Sequence, residues 1–289
     1  LTLRVAVGGA SVVALLIGVM LARLLASPEL SVWADAIALG SVSLLFGLGL
    51  LGLVDAEPSP AAVAVVASVW GASSAISAWL QVAERAGADP FAVGIGDVAD
   101  GVESGLPVVI SVVGALGVIA WAWWTPSDAY VVGAVAAVGV LVTSVTGHAG
   151  TSLWIPLVVG VHALAAAWWV GTLGALVVTV RGRGGWARSL PAFSRSALPV
   201  VATLTVTGLA AAVGRIGFDW WTTGYGRVVI AKLVLLIVVA GIAVWHRRAW
   251  LAKARRHRLD ESTSIRNAGI EIVLLTVVLG LAAGLSVTG

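Results

Sequence analysis

Residues 225 to 250 read YGRVVIAKLVLLIVVAGIAVWHRRAW. Between Arg227 and Arg247 lies an apolar run of roughly 20 residues, the length that carries a helix across a hydrocarbon core of about 30 Å. Runs of this kind recur from end to end. Of the 289 residues 60% are hydrophobic and 11% are charged, against about 25% charged in ordinary soluble domains. The mean hydropathy is +1.04. The pattern predicts an all-α, polytopic transmembrane helical bundle embedded in the lipid bilayer. A membrane β-barrel is excluded, because the runs lack period-two alternation and exceed the roughly 10-residue strands a barrel uses. No stretch remains for a sizeable soluble domain.

About nine spans are predicted by the 20-residue rule, at 3–25, 32–54, 61–83, 105–124, 129–147, 154–180, 194–214, 227–247 and 267–287. Turn chemistry separates them at SPEL (27–30), EPSP (57–60), TPSD (125–128) and RGRGG (181–185). The one long connection, 84–104, is acidic, with Glu84, Asp89, Asp97, Asp100 and Glu103 against Arg85. Basic residues are held on the cytoplasmic side. They concentrate at 181–195 (Arg181, Arg183, Arg188, Arg195) and at 247–266 (Arg247, Arg248, Lys253, Arg255, Arg256, Arg258, Arg266). The N-terminus is therefore expected inside and the C-terminus outside. Residues 1–139 are expected to form an N-terminal set of helices carrying the acidic outer loop, and 140–289 a second transmembrane domain.

The net charge of +3 lies in those two basic segments, so positive-inside topology accounts for it and no nucleic-acid surface is implied. Tryptophans near the span ends, such as Trp79, Trp123, Trp124, Trp154, Trp186, Trp220, Trp221 and Trp245, are expected in the interfacial belts. Trp168 and Trp169 fall in mid-span and have to pack inside the bundle or face lipid. Cysteine is absent from these residues, which rules out thiolate metal sites within them. No catalytic signature is present, and a non-enzyme is expected. Leu1 stands first and Met20 is the only methionine, as in a chain that has been trimmed, processed or started at an unusual codon. The first apolar run is too long for a signal-peptide core and is read as a retained helix.

An ionisable group within a span is costly and marks a functional candidate. His162 lies eight residues into the sixth span, His148 ends the fifth at the outer face, Lys232 lies one to two turns into the eighth, and Glu271 about one turn into the ninth. Imidazole binds copper and haem iron through its neutral nitrogen. His148 and His162 are thus candidate metal ligands near the outer face. After His162, Ala165, Ala166 and Trp169 make a small-residue notch floored by an indole. The bland alternatives are a cross-helix hydrogen bond for either histidine, snorkelling for Lys232, and an ion pair for Glu271. His246 and His257 fall in the basic inner zone and read as surface residues.

Four motifs in order, GHA (147–149), HALAAAWWVGTLGAL (162–176), FSRSALPVVATLTVTGL (193–209) and YGRVVIAKLVLLIVVAGIAVWHRRAW (225–250), resemble the CopD family of copper resistance and copper transport membrane proteins. The resemblance spans roughly 140–287. It implies a multi-pass plasma-membrane protein that takes copper inward beside a soluble copper-binding partner of the CopC type. It also implies His148 and His162 as ligands, with Tyr225, Arg227 and Lys232 as the matching outer motif of the eighth span. In some members such a domain is fused to a cytochrome oxidase assembly domain. Without cysteine, and with Met20 alone, a copper site here is either built mainly from nitrogen and oxygen, which suits Cu(II) better, or weak and transient. The competing expectations are a redox protein holding haem b on His162 and a second histidine, and an assembly factor or accessory subunit for copper delivery to cytochrome oxidase.

Overall fold

The computed structural model describes residues 2–26, 29–94, 96–97, 105–124, 128–145, 154–217, 223–246 and 260–287. Nine long helices follow one another: α1 (Thr2–Ala26), α2 (Val32–Gly49), α3 (Pro60–Ala86), α4 (Leu106–Trp124), α5 (Tyr130–Val145), α6 (Trp154–Thr179), α7 (Gly182–Ile216), α8 (Gly224–His246) and α9 (Glu261–Val287). No strand occurs among the described residues. Eight of the helices are long and apolar enough to cross a membrane, and α5, with 16 residues, is shorter. The protein is a polytopic membrane helical bundle.

Helix directions follow from the contacts at the two ends. At one end, Arg4 of α1 donates to the carbonyls of Val177 and Val180 at the end of α6 and pairs with Glu261 at the start of α9. Glu261 also accepts the backbone N–H of Gly182 at 3.0 Å, and Arg183 pairs with Asp260. This is the basic end. At the other, Glu84 of α3 accepts the backbone N–H of Ser31 at 2.9 Å, and the Trp79 indole donates to Pro90 O at 2.9 Å. This is the acidic end. The grouping is what nine alternating spans require.

Lipid tails are as apolar as leucine, so membrane helices associate where small residues let backbones meet. α1 and α9, which run parallel, touch through Gly18 and Gly280: a Cβ on Gly18 would meet Val277 O and one on Gly280 would meet Leu15 O. α2 meets α6 through Ser43, Gly47 and Gly171, where a Cβ on Gly171 would overlap the Ser43 carbonyl. Trp70 of α3, fully buried, fills the space left by Gly114 of α4 and Gly139 of α5.

The largest departure from the sequence expectation is α7. Its helix starts at Gly182 rather than at 194, and Arg183, Arg188 and Arg195 ride on it. Only Val180 and Arg181 turn the chain, with Gly182 at φ +68°, a conformation glycine adopts without a Cβ penalty. The added turns hold because Trp186, Leu190 and Phe193 recur on one face and are buried, while Arg183 and Arg188 stay exposed. Trp186 is therefore a packed side chain, not an interfacial anchor. At 35 residues α7 is the longest helix described, about 52 Å at 1.5 Å per residue. Pro191 and Pro199 lie within it, each lacking a backbone N–H. Two smaller differences are that α2 ends at Gly49, continuing as a 3-10 turn over Leu51–Val54, and that α3 runs on through Glu84 to Ala86.

Trp123, Trp124, Trp154 and Trp245 are exposed at helix ends, as belt residues are. Trp168 stacks on Phe193 of α7 with ring centroids 5.4 Å apart. Trp220 and Trp221 lie outside the described residues.

Candidate functional site: a cavity below the acidic end

The bundle encloses a cavity of about 690 Å³ that runs from Glu29, Gln81 and Arg85 at the acidic end down to Trp70 and Trp169. Six helices supply its polar lining: Asp35 from α2, Ser74 and Ser77 from α3, Ser111 from α4, Thr143 from α5, His162 from α6 and Lys232 from α8. α7 closes it with Leu204, Thr205 and Gly208.

His162 lies eight residues into α6, roughly 12 Å along the axis. Its Nδ1 is 3.0 Å from Thr207 Oγ1, and a Cβ on Gly208 would stand 3.1 Å from its Cε1. Glycine at 208 thus lets the ring lie flat against α7. The Thr207 hydroxyl donates its proton to Thr203 O at 2.6 Å. A hydroxyl has one proton to give, so towards His162 it accepts, and Nδ1 carries the hydrogen. The lone pair is then on Nε2, the form in which a neutral imidazole ligates metal. An outer hydrogen bond that fixes the tautomer in this way is the usual support of a metal-binding histidine.

Lys232 lies eight residues into α8, at a depth matching His162, and lines the same cavity. No carboxylate pairs with it among the described residues. Asp35 is nearer the mouth. Ser77 donates to its carboxylate, and Gln81 donates to Ser77 Oγ at 3.0 Å. Outside the membrane-spanning segments, burial and then the adjacent Glu84 carboxylate push the Glu29 carboxyl up from its ordinary value.

Several lining groups have no hydrogen-bond partner among the described residues: the indole N–H of Trp70 and Trp169 and the hydroxyls of Ser74 and Ser111. All four residues are at most 6% exposed. Buried polar groups are nearly always satisfied, so these four are exceptions among the residues around the cavity.

Of the residues singled out in the sequence, His162, Trp169 and Lys232 come together on this cavity. In the notch, Ala166 lines it and Ala165 does not. Arg227 is exposed in the first turn of α8, and the side chain of Tyr225 is outside the described set. His148 and His257 also lie outside the described residues. Glu271 is buried in α9 away from the cavity. No group of three His, Cys, Asp or Glu side chains suited to a metal occurs among the described residues, and Met20 is exposed on α1. Sequence reasoning missed Asp35, although it falls inside the second predicted span. It also missed the stripe Ser74, Ser77, Gln81, whose spacing of three and four residues marks one helix face.

Residues 187–285 match the family model of CopD, copper resistance protein D. The matched stretch is about a third of the chain and is similar to that family. It takes in most of α7, all of α8 and α9 to residue 285, and so contributes Thr207, Gly208 and Lys232 to the cavity. Two of the four motifs that carried the resemblance, at 193–209 and 225–250, lie in the matched stretch; those at 147–149 and 162–176 precede it. No curated protein and no solved structure matches the chain. The similarity of this stretch to CopD points to a copper-related membrane function.

Proposed function

We propose that the protein moves copper inward across the plasma membrane, with the acidic end facing out and the cavity as the path. The observation that carries this reading is His162: its Nδ1 is held 3.0 Å from the Thr207 hydroxyl, and the imidazole lines a cavity that reaches Glu29 and Arg85 at the acidic end. Glu29 and Asp35 line the outer part of the cavity beside Arg85, and their carboxylates draw a cation in, since charged clefts concentrate counter-ions. His148, at the outer face, is assigned to first contact, and His162 to the inner station. Trp169 floors the path, and Tyr225 and Arg227 belong to its outer rim. Nitrogen and oxygen donors suit Cu(II). A soluble copper-binding partner of the CopC type would release the metal at the mouth.

Copper accumulation in cells expressing His162→Ala tests the proposal. Uptake falls to the background of cells lacking the protein, while the variant is still made and inserted. Wild-type uptake by a correctly inserted variant would sink the assignment of His162.

A further inference from the structure

We infer that the copper this cavity takes is not the bare ion but a copper(II) complex of a small amino carboxylate. The inference rests on the copper proposal above and specifies the form in which the metal enters. Size is the first argument. At about 690 Å³ the cavity has the volume of a small-molecule pocket, ~300–1,000 Å³, whereas a lone first-row ion needs donors only about 2 Å away. Ligand supply is the second. No three-ligand group occurs among the described residues, and His162 is the one described imidazole on the wall. Copper(II) favours a tetragonal set of nitrogen and oxygen donors, and a chelate that brings its own donors needs only one more from the wall.

The polarity of the lining points to what that substrate carries. Lys232 shares the inner cavity with His162 and has no carboxylate partner among the described residues. A bare divalent cation would be repelled there in a medium that screens poorly, whereas a carboxylate would gain a charge-assisted hydrogen bond. The Lys232 ammonium on the cavity wall thus matches a carboxylate oxygen. Asp35, nearer the mouth and already accepting from Ser77, suits the N–H of a coordinated amine.

The step at the inner station balances as a ligand exchange. The Nε2 lone pair of His162 forms a bond to copper, one carboxylate oxygen of the chelate leaves the metal, and the freed carboxylate pairs with the Lys232 ammonium. No proton and no electron changes hands, and copper stays Cu(II).

Double-label flux into proteoliposomes of the full chain tests this, using bis(glycinato)copper(II) with radiocopper and radiocarbon-labelled glycine. The expected result is entry of both labels in a fixed ratio, faster than copper supplied in a weakly coordinating buffer, and no entry of glycine without copper. Lys232→Met lowers the glycinate flux roughly tenfold, the loss of one charge-assisted contact, and Lys232→Arg retains it; size-exclusion profiles confirm that both variants are folded. Copper entering at the same rate from either supply, without glycine, overturns the chelate inference and leaves the copper proposal standing. Entry of neither label, or of glycine equally well without copper, overturns the copper proposal itself.

Discussion

At the basic end the Arg4 guanidinium reaches two carbonyls and a carboxylate, whereas Lys232, about two turns below the acidic end, faces a cavity with no carboxylate partner among the described residues. Both are basic groups on mainly apolar helices. The first is spent on architecture, because its donors close the end of α6 and tie α1 to α9. The second has no such duty in the described structure, and an ionisable group kept in a span without one is where function is sought. The same contrast separates the helix seams. Gly18 with Gly280, and Gly47 with Gly171, bring backbones into contact and leave no room. The α3, α4, α6 and α8 walls stand apart around about 690 Å³.

The seam is where a substitution has the largest effect. Gly171→Leu forces a side chain into the Ser43 carbonyl, a backbone atom with nowhere to go. No folded protein is expected, read as loss of a monodisperse size-exclusion peak. Gly117, with nothing within 4 Å of its would-be Cβ, accepts leucine without that loss. Equal behaviour of the two variants would break the distinction between seam and open surface.

His162→Ala comes next and divides function from stability. Copper uptake falls at least about tenfold, the cost of one lost ligand bond at the scale of 1.4 kcal/mol per decade. Thermal stability moves little, because the ring's Nδ1 contact is one net hydrogen bond of about 0.5–1.5 kcal/mol and Thr207 keeps its bond to Thr203. A variant that unfolds instead would make His162 a structural residue.

The spans were legible because a hydrocarbon core imposes a length that composition alone reveals, and His162 because an imidazole in such a run stands out. Thr207 was not, since it lies 45 residues away and meets His162 only when α7 packs on α6. The start of α7 was hidden for the opposite reason. RGRGG is locally a poor helix, and glycine costs about 1 kcal/mol per residue there, yet burial of Trp186, Leu190 and Phe193 outweighs it. Asp35 lay in plain view among ionisable in-span residues. The sequence does not pair it with α3, whereas Ser77 on that helix donates to its carboxylate in the cavity wall.

The two ion pairs of the basic end give the last pair of effects. Arg4 is 11% exposed in its side chain and Glu261 35%. Arg4→Met leaves two carbonyls and a carboxylate short of a donor, a loss of about 2–4 kcal/mol, measured as a lowered unfolding midpoint in detergent with copper uptake per folded molecule unchanged. Arg183 and Asp260 form a pair of the same chemistry but are 63% and 61% exposed. Water screens their attraction and the long arginine side chain gives up rotamer freedom to make it, so Arg183→Ala costs less than about 1 kcal/mol. The ordering of the two variants is the sharper test. If Arg183→Ala destabilises as much as Arg4→Met, the carbonyl contacts of Arg4 contribute nothing and the basic end is held by charge alone.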